Sequence, residues 1–157
     1  VTEDPALDAL MPEPHNGNNA WQHGFRVGYP DMVALRYALG VTDGADALAL
    51  THLDRAVHVT QVATAYQMPE PADTSLFAGT GQTISRIVPG GIDELERQEA
   101  ITNALMSAQP QYQRFSAAAG MSAAEGLVSL FASELALPVC YTSYGPTWAD
   151  KQALVAC

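Results

Sequence analysis

Apolar residues recur along this chain with two different periods, and the points where each period breaks off mark the elements. Met32, Leu35 and Leu39 fall at i, i+3 and i+7, one face of a helix that Pro30 can open and Gly40 can close as its C′ residue. Asp31 puts a negative charge into the first turn, where the helix dipole favours it. Ala47 to Leu50 is a short apolar run, as expected of a strand covered on both faces. The run changes character at Thr51-His52-Leu53-Asp54, so a carboxylate stands at the C-terminal end of a buried strand, where open α/β sheets bind their ligands. Alternation then takes over. Val57, Val59, Gln61, Ala63 and Ala65 share one parity of a strand over 57–66, with His58 on the other.

Residues 67–92 carry prolines, glycines, serine and threonines and read as a long loop with one short strand around Ile84 to Val88. Asp93 followed by Glu96 is a capping-box pattern that opens a helix to about Met106, with Ile101 and Leu105 facing the core and Arg97 spaced for i, i+3 pairing. Pro110 to Phe115 is a short extended piece. Ser122 with Glu125 is a second capping box, and Leu127, Leu130, Phe131 and Leu135 give an amphipathic helix to about Ala136. Pro138 stops it, Val139 to Thr142 forms a last buried strand, and Trp148 to Ala156 reads as a short closing helix.

Residues 1–20 are acidic and rich in proline and asparagine, with little periodicity, and read as an extended arm. Met11-Pro12-Glu13-Pro14 recurs as Met68-Pro69-Glu70-Pro71, which is too little for a repeat architecture. A chain of 157 residues with 48% hydrophobic content supports one domain with a real core. The formal net charge is −10, and Lys151 is the only lysine. Such a surface repels nucleic acid and anionic membranes, and no apolar run approaches the roughly 20 residues needed to span a bilayer. Cys140 and Cys157 make no disulfide framework, so a reducing cytoplasm is expected, with Cys140 a small buried hydrophobe. His15, His23, His52 and His58 lack metal-ligand spacing, and no G-x-x-x-x-G-K-[ST] segment is present.

Two blocks carry a family resemblance. Gly28-Tyr29-Pro30-Asp31, Val33-Ala34-Leu35-Arg36 and Leu50-Thr51-His52-Leu53-Asp54 resemble, in that order, the G-W-[FL]-D turn, V-A-L-R helix and L-T-K-L-D strand end of adenylosuccinate synthetases. Ser143-Tyr144-Gly145-Pro146 is similar to that family's S-[TV]-G-P turn. The likeness runs from about Ala20 to near the end and lies in the C-terminal part of the family's much longer chain.

The resemblance implies an α/β fold, the C-terminal lobe of a P-loop-NTPase-like, mostly parallel sheet flanked by helices. Residues 1–20 would be the arm and 21–157 a guanine-binding lobe. It implies GTP-dependent joining of aspartate to inosine monophosphate, with GTP and magnesium as cofactors, and with the magnesium ligands, the phosphate cradle and the catalytic base outside this stretch. The partners are then a purine nucleotide and an amino acid, and a homodimer is left open. The GTP-binding residues it implies are Arg26, His52, Leu53, Asp54, Ser143, Tyr144, Gly145 and Pro146, with Gln22, His23 and Arg26 toward the amino-acid substrate. Asp54 would accept from the guanine N1–H and N2 amine. His52 stands where the family has a purine-packing lysine, and Arg26 is the one arginine left of a T-T-G-R-x-R-R loop. Those departures leave two alternatives open: a paralogue with a changed amino-acid or nucleotide substrate, and a non-catalytic nucleotide-binding module.

Overall fold

The computed structural model describes residues 5–11, 20–21 and 26–154. Its elements are helix α1 (Pro5–Leu10), helix α2 (Met32–Val41), strand β1 (Leu48–Leu50), a 3-10 turn over Leu53–His58, strand β2 (Gln61–Gln67), strands β3 (Phe77–Thr80) and β4 (Thr83–Ile87), helix α3 (Leu95–Leu105), strand β5 (Gln109–Arg114), helix α4 (Ala123–Leu135), strand β6 (Val139–Ser143), a second 3-10 turn over Trp148–Asp150, and strand β7 (Lys151–Ala153). The arm expected over 1–20 thus contains a short helix.

The result is a mixed α/β domain with two sheets, one of them partly parallel. The larger sheet, in the order β3-β4-β2-β5, is antiparallel throughout. The smaller has the order β1-β6-β7, and only its β1–β6 pair is parallel. A mostly parallel sheet is therefore not what the larger sheet forms. The reason is local. β3 and β4 are joined by the two residues Gly81 and Gln82, with Gly81 at φ 61°, and so short a connection can only make a hairpin. Gly79 in β3, at a register shift, hides the apolar alternation that would have marked this hairpin.

Helix α2 begins where the sequence places it, but Asp31 is its N-cap, accepting from the Ala34 N–H at 3.0 Å. Its end is not at Gly40. The helix runs to Val41, and the chain turns through Asp43 and Gly44 in the left-handed region, with the Gly44 N–H donating to the Leu39 carbonyl at 2.8 Å. Gly40 serves packing instead, since a Cβ there would stand 2.7 Å from Cγ of Pro89. The Asp93 capping box is not made either. Glu94 takes the N-cap position of α3 without a side-chain bond, and its carboxylate faces Arg97 at 3.6 Å. Arg97 spends its guanidinium on the carbonyls of Ser75 and Val88, which ties α3 to the hairpin. The Ser122–Glu125 box forms completely.

Two apolar clusters hold these layers. Val33 of α2, Ile84 and Ile87 of β4, Phe77 of β3 and Ile101 of α3 meet under the large sheet. Leu53, Ala56 and Leu127 meet between the first 3-10 turn and α4, flanked by Leu50 and Phe131. An Arg36–Glu134 ion pair links α2 to α4. The strand expected over 57–66 starts only at Gln61, because Val57 and His58 belong to the 3-10 turn, where Val57 is exposed. The expected closing helix is a single 3-10 turn followed by β7, whose residues pair with β6. Cys140, 2% exposed, is disulfide-bonded, not a reduced apolar side chain; the chain's other cysteine, Cys157, lies outside the described residues. Disulfides are rare in the cytosol, so Cys140 lends no support to the cytoplasmic expectation. Among the described residues no helix is long and apolar enough to cross a membrane.

The Asp31 carboxylate has a second partner, the Tyr66 hydroxyl at 2.5 Å, which joins the start of α2 to the end of β2. Burial first, and then this hydrogen bond and the neighbouring charge, push the Tyr66 phenol well above its ordinary value. The folded chain therefore holds that proton more tightly than the unfolded chain. The stability it contributes is complete below a pH of about 10 and is lost as pH rises toward the folded value. The melting temperature should fall as pH rises above about 10, and fall less in Tyr66→Phe. Equal slopes in the two proteins would show that this contact does not govern alkaline stability.

Candidate functional site

The parallel pairing of β1 with β6 decides where the two motif blocks go. Leu50 stands opposite Thr142, so the strands end side by side, and Thr51 to Asp54 leaves the sheet next to Ser143 to Pro146. Segments that leave the carboxyl ends of adjacent parallel strands form the crevice in which α/β sheets take ligands. The sheet is covered on one face only at β1, where Ala49 is exposed, in contrast to the two-sided burial expected of Ala47 to Leu50.

On the β1 side the chain turns sharply. His52 adopts a left-handed conformation, φ 61°, which histidine tolerates better than β-branched residues do. Its Nδ1 lies 3.0 Å from the Thr51 hydroxyl, and its carbonyl accepts from the Arg55 N–H. Leu53, 6% exposed, anchors the turn in the smaller core. Asp54 then faces outward. Its Oδ2 accepts from Arg55 Nε at 3.2 Å, and Arg55 also reaches the Leu10 carbonyl. The two side chains are 38% and 41% exposed, so this ion pair is worth at most about 1 kcal/mol and a ligand can replace it.

On the β6 side the loop is closed upon itself. Ser143, 4% exposed, donates its hydroxyl to the Gly145 carbonyl at 3.0 Å. The Lys151 ammonium donates to the Ser143 Oγ and to the same carbonyl, each at 2.8 Å. The Tyr144 N–H donates to the Asp150 carbonyl, and Thr147 donates both its N–H and its hydroxyl to the Asp150 carboxylate. These bonds, the hydroxyl's first, hold the Asp150 carboxyl below the usual carboxylate range. The close approach that Gly145 permits is taken by this side chain: a Cβ at 145 would stand 2.7 Å from Asp150 Cγ. Tyr144 is half-buried against the smaller core, and Pro146 is exposed. Thr142, 1% exposed, keeps its hydroxyl without a hydrogen-bond partner among the described residues.

Of the residues singled out in the sequence, Leu53 and Tyr144 pack in one apolar cluster, while His52 and Asp54 follow the end of β1 and Ser143, Gly145 and Pro146 the end of β6, the strand paired with it. Arg26 is exposed on the segment that leads into α2, apart from that pairing. Gln22 and His23 lie outside the described residues. Sequence reasoning missed Lys151. The signal available was Thr147-x-x-Asp150 directly before it, a capping box that stops the chain after one turn and returns it to β6. Among the described residues no group of three or more histidine, cysteine, aspartate or glutamate side chains could hold a metal ion. The magnesium that the resemblance implies finds no ligand set in them.

A solved structure described as fully ligated adenylosuccinate synthetase from Plasmodium falciparum is similar to this chain, with a TM-score of 0.47 and 16% sequence identity. The likeness covers 80% of this chain and 28% of that one, so this chain spans little more than a quarter of that protein. No protein-family model and no curated protein matches the chain.

Proposed function

We propose that this chain is the guanine-nucleotide-binding lobe, residues 21–157, of an adenylosuccinate synthetase-like ligase that joins aspartate to inosine monophosphate at the expense of GTP. The observation that carries the reading is the Leu50–Thr142 register, which sets the T-x-L-D strand end beside the S-x-G-P turn. Asp54 is the acceptor at that edge. An ionised carboxylate takes two donors at once, and guanine presents two, N1–H and the N2 amine. Adenine has an acceptor at N1 and no group at C2, so it leaves the carboxylate unsatisfied. His52 offers a ring face beside it, and Arg26 an exposed guanidinium toward a carboxylate or phosphate. The phosphate cradle and the catalytic base belong to a part of the enzyme other than this lobe, which alone does not release phosphate.

One observation favours a changed amino-acid substrate. Gly24 and Phe25 precede Arg26 where the resembled loop carries further arginines. Two carboxylates want planar, bidentate donors, and one guanidinium cannot serve both.

Titration of the purified 157-residue chain with GTP and with ATP by calorimetry tests the reading. GTP should bind tighter by about tenfold or more, the discrimination expected when the bound base covers the Asp54 carboxylate and, for adenine, leaves it without partners. Equal affinities, or binding of neither nucleotide, would contradict it.

A further inference from the structure

We propose that Lys151 is a specificity residue of the same site, the donor that reads the 6-oxygen of the guanine base; the inference rests on the guanine reading above. The guanine edge has three groups in a row: an acceptor at O6, a donor at N1 and a donor amine at C2. A carboxylate satisfies only the two donors. O6 still needs a donor, and the hydroxyl of Ser143 is not one that is available. It is already spent on the Gly145 carbonyl, and its oxygen already accepts from Lys151.

The cation that closes this loop is the donor at hand. An ammonium has three N–H groups. Two go to Ser143 Oγ and the Gly145 carbonyl, each at 2.8 Å, which leaves one for a ligand. Those two bonds also fix the flexible side chain, so the third donor stays at the end of β6. The backbone holds the arrangement in register, because Lys151 is the residue of β7 that pairs with Ser143, and it is exposed where Ser143 is buried.

Opposite charges thus flank the C-terminal end of β6, a carboxylate on the turn that follows β1 on one side and an ammonium at the start of β7 on the other. Guanine matches both. Adenine presents an amine at C6, and an amine facing an ammonium sets donor against donor. Lys151 and Asp54 thus each reject adenine, at different atoms of the base.

The experiment compares GTP with its 6-thio analogue, which keeps N1–H and the N2 amine but replaces O6 with sulfur, a weak acceptor. Affinities of both are measured at neutral pH for the wild-type 157-residue chain, Lys151→Met and Lys151→Arg, with a thermal melt for each protein. The wild type should prefer GTP to 6-thio-GTP. Lys151→Met should weaken GTP by roughly ten- to a hundredfold, as for loss of a charge-assisted hydrogen bond, and 6-thio-GTP far less, so that the preference disappears. Lys151→Arg keeps a cationic donor and should keep most of it. Equal weakening of both nucleotides by Lys151→Met would show that Lys151 only holds the loop, and no weakening would show that it does neither; each overturns the proposal. If Lys151→Met does not fold, the wild type decides, and equal affinity for GTP and 6-thio-GTP overturns it. Binding of neither nucleotide by the wild type would overturn the guanine reading itself, a failure distinct from the others.

Discussion

Ile84→Ala should destabilise the chain by about 2–5 kcal/mol, the largest effect expected of any single truncation described here. Ile84 is 0% exposed. It lies on β4, an inner strand of the large sheet, opposite Tyr66 of β2 on one side and Gly79 of β3 on the other. Its side chain belongs to the cluster in which Val33 of α2, Phe77 of β3 and Ile101 of α3 also meet, so truncation opens a cavity where two helices and the sheet pack together. Surrounding strands cannot close such a gap without breaking their ladders, which places the cost well above the transfer term alone. For a chain of this length each kcal/mol shifts the midpoint by about 2–4 °C. Ile92→Ala is the control, since Ile92 is 89% exposed and should change stability by no more than about 0.5 kcal/mol. A loss below about 1 kcal/mol for Ile84→Ala would mean that the cluster does not hold the layers together.

The second large effect is on specificity. Asp54→Asn should lower affinity for GTP and raise affinity for XTP relative to it. The asparagine keeps the shape of the side chain but turns one acceptor into a donor. Guanine then sets its N2 amine or N1–H against that donor, at a cost of roughly 2 kcal/mol or more, a factor of about thirty. Xanthine keeps N1–H and carries a carbonyl at C2, so it matches the new pattern. The Arg55 contact does not mask this change, because both partners are more than a third exposed and their pairing is weak.

The legibility of this fold followed the locality of its signals. The Ser122–Glu125 box and the start of α2 were legible because each is written within four residues and made by bonds within them. The ends of β1 and β6 were legible because each short apolar run stops on a polar block, whereas their side-by-side placement comes from the pairing of the two strands. Gly40 was misread because the residue that requires its small size, Pro89, is remote in sequence, and only packing brings the two together. Asp93 was misread because Arg97, four residues on, is drawn away to Ser75 and Val88, and Glu94 follows it to become the N-cap. The β3–β4 hairpin was hidden by Gly79 and its register shift. The C-terminal segment carries apolar residues at a spacing a helix would accept, yet pairing with β6 wins over local propensity. Lys151 stands beside Ser143 by that same long-range pairing; the Thr147-x-x-Asp150 box before it marks where the chain turns, but not the strand it turns back to.

We propose that Asp54, in the 3-10 turn that follows β1, reads the guanine edge. Its most direct test is the ratio of GTP to XTP affinity for the wild type and for Asp54→Asn, with a thermal melt to confirm that both proteins are folded. A fall in that ratio by a factor of about thirty or more, with XTP gaining on GTP while the fold is intact, is the predicted result. An unchanged ratio in a folded Asp54→Asn protein would contradict the account and leave Asp54 as no more than the partner of Arg55.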